Sequence, residues 1–183
     1  MRSENPLIFL IEILFDLYII VLMLRFLLQQ VRADFYNPIS QFIVKATDPV
    51  LKPARKFIPG FGGIDVATIV VVIAFIAIKI FIIALLSGYS PTVLALLVTG
   101  IRDFITLALN IFIFAIIIQA ILSWINPDPY NPVTGILFSI TGPVLRPFRR
   151  LIKPVGGLDL SPLIALIALM FIERLVVYLF NMI

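Results

Sequence analysis

Residues 64–86 read IDVATIVVVIAFIAIKIFIIALL, an apolar run interrupted by only two charged side chains. A helix needs about 20 mostly apolar residues to cross the hydrocarbon core of a bilayer. Three further runs of similar length are Leu7–Leu28, Phe104–Trp124 and Leu160–Ile183. The sequence therefore predicts an all-α membrane protein with four transmembrane helices.

The composition excludes several classes of protein and of site. Of the 183 residues, 62% are hydrophobic, against about 45–50% in soluble domains. The net charge is +4, and the chain has no cysteine and no histidine. Thiol nucleophiles, imidazole bases and Cys or His metal sites are therefore excluded. We expect a protein that is not an enzyme, with no catalytic residues, no metal and no cofactor.

The chain is a tandem duplication with an offset of 94 residues. Of the 30 positions in 36–65, 13 carry the same residue at the equivalent position in 130–159. Each copy consists of a span, a connecting segment and a second span, so both copies have the same orientation and form a parallel repeat. The predicted repeats are 1–89 and 104–183. The linker, 90–103, either lies in the membrane interface or extends the third helix.

The connecting segments, 37–59 and 131–153, have the pattern of amphipathic interfacial helices. Each starts with an Asn-Pro pair, which suits a helix N-terminus. Apolar residues then recur at helical spacing. They are Ile39, Phe42, Ile43 and Ala46 in the first copy, and Val133, Ile136, Leu137 and Ile140 in the second.

Prolines divide both connecting segments. We expect Pro49 and Pro143 to end the amphipathic helices, because proline lacks the backbone N–H that a helix interior needs. The residues after Pro49 are expected to form a short bent piece in the interface plane. Its lipid-facing residues would be Val50, Leu51, Phe57 and Ile58.

These motifs resemble the YggT (YlmG) family of membrane proteins from bacteria and plastids. The resemblance is carried by Thr141–Arg150 (TGPVLRPFRR), by Gly156–Pro162 (GGLDLSP) and by their first-copy equivalents. The first copy departs from the pattern at Ala67-Thr68, where the second copy has Ser161-Pro162. The resemblance implies an integral membrane protein without known catalytic activity. It also implies associations with cell division, envelope or photosynthetic-complex assembly, and osmotic tolerance.

The distribution of basic residues predicts the orientation. Segments 29–63 and 125–158 carry nine Lys and Arg residues, whereas the opposite side carries only Arg2 and Arg102. Lys and Arg near the ends of spans remain on the cytoplasmic side. We therefore place the protein in the bacterial inner membrane, with the connecting segments in the cytoplasm and both termini outside.

Seven of these basic residues form a candidate binding site for lipid or for a partner protein. They are Lys52, Arg55, Lys56, Arg146, Arg149, Arg150 and Lys153. Basic side chains near an anionic leaflet gain about 1 kcal/mol each. The alternative is that these charges are solvated and serve only to set the topology. The topology rule does not explain the proline spacing that both copies retain.

A second group of residues is expected to fix the turn into the following span. The glycines that permit a sharp turn are Gly62, Gly63, Gly156 and Gly157. Asp65 and Asp159 follow them, each ten residues after an arginine, Arg55 or Arg149. Each aspartate either pairs with the arginine of its own copy or caps the helix N-terminus alone.

Ionisable and polar residues also interrupt the spans. They are Asp16, Lys79, Asn110, Glu173 and Arg174, with Glu12 nearer the outer boundary. Residues of this kind usually pair or line a cavity. Asp16 is equivalent to Asn110, and Lys79 to Glu173, so equivalent positions stay polar. We favour buried pairing over an ion path, because the rest of each span is apolar.

Two functions are therefore considered. The first is a scaffold or assembly factor that binds anionic lipid, or an unidentified membrane or division protein, through its basic cytoplasmic segments. The alternative is a small ion transporter or channel component that uses the intramembrane polar layer. Nucleic acid is not an expected partner, because lipid is the nearer anion. Self-association is left open.

Overall fold

A computed structural model describes residues 5–125, 131–152 and 159–182 of the chain, which form six helices. The helices are α1 (Pro6–Gln30), α2 (Pro38–Phe57), α3 (Val66–Leu86), α4 (Val93–Ile125), α5 (Pro132–Leu151) and α6 (Ser161–Phe180). Four of them, α1, α3, α4 and α6, are long and apolar enough to cross a membrane. The all-α fold with four spans is confirmed, and the protein is a multi-pass membrane protein.

The linker between the copies is mostly helical. α4 begins at Val93 and runs for 33 residues, well before the predicted start of the third span at Phe104. Of the two alternatives for 90–103, the structure therefore supports the second, in which this segment extends the third helix. A left-handed Gly88 (φ 83°) lies in the turn that separates α3 from α4, a conformation that glycine adopts without steric cost.

Equivalent residues form the centre of each copy. In the first copy, Leu22 of α1 packs with residues of α2 and α3, and it is fully buried. Its equivalent Ile116 of α4 is also fully buried and packs with residues of α5 and α6. The copies meet where α3 packs on α4 and where α2 approaches α5. There the side-chain amide of Asn37 donates to the carbonyl of Pro132 at 2.8 Å.

The expectation that proline ends the amphipathic helices is wrong. α2 continues through Pro49 and Pro53 to Phe57, and α5 passes its own two prolines in the same way. All four prolines are exposed. The carbonyls that lose a helical hydrogen bond therefore lie on the outer side of each helix, away from the packed spans. Proline is tolerated in a membrane-associated helix when its freed carbonyls find other partners.

The assignment of Leu51 to the lipid-facing side is also wrong. Leu51 is fully buried against α1 and α3, whereas Phe57 is 84% exposed. The continuous helix explains the error, because Leu51 falls on the same stripe as the buried residues of the first half of α2. That stripe comprises Ser40, Ile43, Thr47 and Leu51, and the equivalent stripe of α5 comprises Thr134, Leu137, Thr141 and Leu145.

We predict that Leu51→Ala lowers the free energy of unfolding by about 2–5 kcal/mol, because a fully buried leucine leaves a cavity. Val93→Ala is the control, since Val93 is 74% exposed and should change stability by less than about 0.5 kcal/mol. Unfolding in detergent measures both effects. Equal stability of the two variants would contradict the packing of α2 on the spans.

Candidate membrane-interface site

The outer sides of α2 and α5 carry the basic residues of the predicted lipid or partner site. Lys52, Lys56, Arg146, Arg149 and Arg150 are exposed, and Arg55 is partly buried. The buried stripes hold the opposite side of each helix against the spans. Each helix therefore has cations on one side and its packing surface on the other. Lys153 lies outside the described residues.

Arg55 joins α2 to the start of α3. Its Nε donates to Asp65 Oδ2 at 3.1 Å, and its Nη2 donates to Gln29 Oε1 of α1 at 3.3 Å. Asp65 also caps α3, because its carboxylate accepts from the backbone N–H of Thr68 at 3.3 Å and from the Thr68 hydroxyl at 2.6 Å. The first copy therefore combines the two alternatives that the sequence leaves open.

The environment of Asp65 favours its ionised form. Burial would raise the pKa of this carboxyl, but the hydrogen bonds from Arg55 and Thr68 and the charge of Arg55 hold the pKa below its ordinary value of 3.8. The Asp65 side chain is only 5% exposed. A buried carboxylate with these partners is costly to protonate. It therefore stays ionised, and its bonds to Arg55 and Thr68 fix α2 to the start of α3.

The second copy repeats the ion pair in a more exposed form. Arg149 Nε donates to Asp159 Oδ2 at 3.0 Å, and the two side chains are 45% and 40% exposed. Burial would raise the pKa of Asp159, but hydrogen bonds from Ser161 and Arg149 hold it below the ordinary value. Exposed pairs contribute at most about 1 kcal/mol, so this pair is the weaker of the two.

The predicted glycine turn is present in the first copy. Gly62 and Gly63 have φ values of 61° and 82°, in the left-handed region that side chains rarely adopt. The turn therefore needs glycine at these two positions. Gly156 and Gly157 of the second copy lie outside the described residues.

The polar residues of the spans contact each other within each copy. Lys79 Nζ lies 2.6 Å from Asp16 Oδ1, and Asn110 Nδ2 donates to Glu173 Oε1 at 3.2 Å. Each contact joins the two spans of one repeat, and the four positions are equivalent in pairs. Arg174 is exposed, and it forms no ion pair within the part of the chain that the structure describes.

Two polar residues near the C-terminal ends of α1 and α4 make contacts that the sequence analysis did not predict. Gln29 accepts from Arg55, and the buried Gln119 accepts from the Thr141 hydroxyl. The signal that could have found them is the repeat itself. Arg25 and Gln119 are equivalent polar positions in apolar helices, and Gln119 contacts Thr141 of α5.

Both copies match the same protein family. A family model described as CCB3/YggT matches residues 4–86 and again residues 90–180. No solved structure matches the chain.

The chain is similar to several bacterial proteins along most of its length. It is 47% identical over 172 residues to "Uncharacterized protein PA0392" of Pseudomonas aeruginosa, covering 93% of this chain and 87% of that protein. It is 37% identical over 170 residues to "Uncharacterized protein YggT" of Escherichia coli K12, covering 92% and 88%. A shorter similarity, 36% over 61 residues, covers 33% of this chain and 24% of "YlmG homolog protein 2, chloroplastic" of Arabidopsis thaliana.

We predict that Asp65→Asn lowers the free energy of unfolding by about 2–3 kcal/mol near pH 7 and flattens its acid dependence. Because the pKa is lowered in the folded protein, the contribution of ionised Asp65 is fully present above about pH 5. It is lost progressively as the pH falls below the ordinary value of 3.8 and through the lower pKa of the folded protein.

Asp159→Asn is the matched control for this prediction. Its ion pair is exposed, so the variant should lose less than about 1 kcal/mol and flatten the acid dependence less than Asp65→Asn does. Thermal unfolding in detergent from about pH 7 to about pH 3 measures both variants. An Asp65→Asn variant that loses stability in acid as steeply as the parent would refute the role of this carboxylate.

Proposed function

Because the chain belongs to the CCB3/YggT family, we propose that it is a non-catalytic scaffold or assembly factor that acts through α2 and α5. In this proposal, the two helices lie in the cytoplasmic interface of the bacterial inner membrane and bind anionic lipid. The resulting surface would then dock proteins of division or envelope assembly. The proposal rests on one observation: both copies bury the same stripe of the helix and expose their cations.

The ends of α2 and α5 support binding in the plane of the membrane. Phe57 and Leu151 occupy equivalent positions and are 84% and 82% exposed. Each follows a basic pair, Arg55-Lys56 or Arg149-Arg150. Apolar side chains beside cations are what an interfacial helix uses to enter the acyl region while it contacts anionic headgroups.

A role in topology alone accounts for less of the geometry. The positive-inside rule needs basic residues near the ends of spans, in any conformation. It does not require them to lie on 20-residue helices held rigidly by buried stripes. A rigid, repeated arrangement of charge favours recognition of a surface, because the cations keep fixed positions relative to the spans.

The alternative, a small ion transporter or channel component, is supported by the ionisable residues in the spans. Lys79 and Glu173 each have a partner in their own copy, Asp16 and Asn110. These contacts join the two spans of each copy, which is what a structural role requires. A conduit needs a continuous polar lining, and the spans otherwise consist mainly of aliphatic and aromatic residues.

We predict that Lys56→Cys reacts with a membrane-impermeant maleimide only when the cytoplasmic face is accessible. The chain has no cysteine of its own, so the engineered thiol is the sole target. Tyr89→Cys, in the exposed turn between α3 and α4, is the matched control and should react from outside. Labelling of Lys56→Cys in intact spheroplasts would overturn the orientation.

We predict that Arg146→Gln/Arg150→Gln weakens the enrichment of phosphatidylglycerol around the protein by about tenfold or more. The estimate follows from about 1 kcal/mol for each basic residue near an anionic leaflet. Neither arginine is in an ion pair among the residues that the structure describes, so folding should be unaffected. Native mass spectrometry from mixed phosphatidylglycerol and phosphatidylcholine nanodiscs measures the enrichment.

Arg102→Gln/Arg174→Gln is the matched control, because it removes the same charge from outside α2 and α5. It should leave the enrichment within about twofold of the parent, since neither residue is on the proposed surface. If both double variants lose enrichment equally, net charge rather than α5 determines lipid binding, and the proposal fails.

A further inference from the structure

We propose that the first repeat contains a phosphate-binding site in a cavity between α1 and α2. The cavity has a volume of about 350 Å³, within the range of small-ligand pockets. Its polar lining consists of Arg25, Gln29, Arg32, Ser40 and Arg55. The ligand would be a phosphate group, carried either by a lipid headgroup or by a free phosphate ion.

The charge of the cavity favours an anion. Three guanidinium groups line it, and no carboxylate does. Arg55 is already paired with Asp65, but Arg25 and Arg32 form no ion pair within the described ranges. Arginines in one cavity repel each other unless an anion lies between them. The planar guanidinium is also the side chain best suited to phosphate oxygens.

Two buried donors in this cavity lack a partner. The Ser40 hydroxyl oxygen and Arg25 Nε have no hydrogen-bond partner among the described residues, and Ser40 is only 5% exposed. Buried polar groups are nearly always hydrogen-bonded. A phosphate oxygen can accept from both an O–H and an N–H group, so a ligand in the cavity would supply partners once these two side chains turn toward it.

The second repeat lacks the charges of this site. The residues equivalent to Arg25, Arg32 and Ser40 are Gln119, Asn126 and Thr134. The side-chain oxygen of Gln119 accepts from the Thr141 hydroxyl, so this position is satisfied within the protein. Asn126 lies outside the described residues. The second repeat therefore has neutral side chains where the first repeat has Arg25 and Arg32. The charged site belongs to the first repeat.

The site is distinct from the outer surface of α2 and α5. Only Arg55 belongs to both, and the experiment leaves Arg55 unchanged. The double variant Arg25→Gln/Arg32→Asn gives the first repeat the residues of the second. Arg102→Gln/Arg174→Gln removes the same charge from outside α2 and α5 and serves as the matched control.

The experiment is isothermal titration of the full-length protein in a neutral detergent at constant ionic strength. The titrants are inorganic phosphate, dioctanoyl phosphatidylglycerol and sodium chloride. We expect at least one phosphate compound to bind and chloride not to bind. The dissociation constant should rise at least about tenfold in Arg25→Gln/Arg32→Asn, as expected when two charge-assisted donors are lost. It should change less than about threefold in Arg102→Gln/Arg174→Gln.

The titrants also identify the source of the phosphate group. Binding of inorganic phosphate would indicate a free anion, and binding of phosphatidylglycerol alone would indicate a lipid headgroup. The proposal is overturned if the parent binds neither compound or if both double variants weaken binding equally. In contrast, failure of the surface proposal would appear as unchanged enrichment in Arg146→Gln/Arg150→Gln and would leave these titrations unaffected.

Ser40→Ala tests the same site with a smaller change. Removing a buried hydroxyl without a partner should keep or raise the unfolding temperature of the ligand-free protein. The same change should weaken phosphate binding by about threefold or more, because one hydrogen bond is lost. If Arg25→Gln/Arg32→Asn does not fold, this variant decides the question, and an unchanged dissociation constant would overturn the proposal.

Discussion

The packing of α2 and α5 on the spans, along one narrow stripe of each helix, is the constraint on which the rest of the structure depends. In α2 the buried positions are 40, 43, 47 and 51, and α5 buries their exact equivalents. Buried hydroxyls on a stripe would be costly without partners, but Thr47 donates to the carbonyl of Ile43 within its own helix at 2.7 Å. The Thr141 hydroxyl lies 2.7 Å from the Leu137 carbonyl and also contacts Gln119 of α4. Both threonine hydroxyls of the stripes are therefore satisfied.

The prolines determine where such a helix can lie. Pro49 and Pro53 leave the carbonyls four residues before them without a helical hydrogen bond. In hydrocarbon, an unsatisfied carbonyl costs several kcal/mol. Both prolines are on the exposed side, so the freed carbonyls lie away from the packed spans, where outside partners can reach them. The helix therefore need not end at either proline.

Much of the fold can be predicted from the length of the apolar runs and from the repeat. The wrong predictions come from rules that consider only neighbouring residues. Four apolar runs give the four spans, and the offset of 94 residues gives the equivalence of the copies. The spacing of ten residues between Arg55 and Asp65 predicted a contact that the structure contains. The burial of Leu51 was missed because proline was assumed to break the helix, which changes the side on which every later residue lies. The sequence does not predict the environment of Arg25, because that environment depends on which helices meet at the C-terminal end of α1.

The differences between the copies distinguish residues that have a structural role from residues that have another role. Asp16 and Lys79 became Asn110 and Glu173 in the second copy, yet each pair still makes contact. Since the contact is retained while the charges change, pairing between spans is what these positions maintain. Arg25 behaves differently. Its equivalent Gln119 has a partner inside the protein, whereas Arg25 Nε has none among the described residues. The proposed phosphate ligand would supply a partner for this nitrogen, in addition to the charges of Asp48 and Asp65 that already act on Arg25.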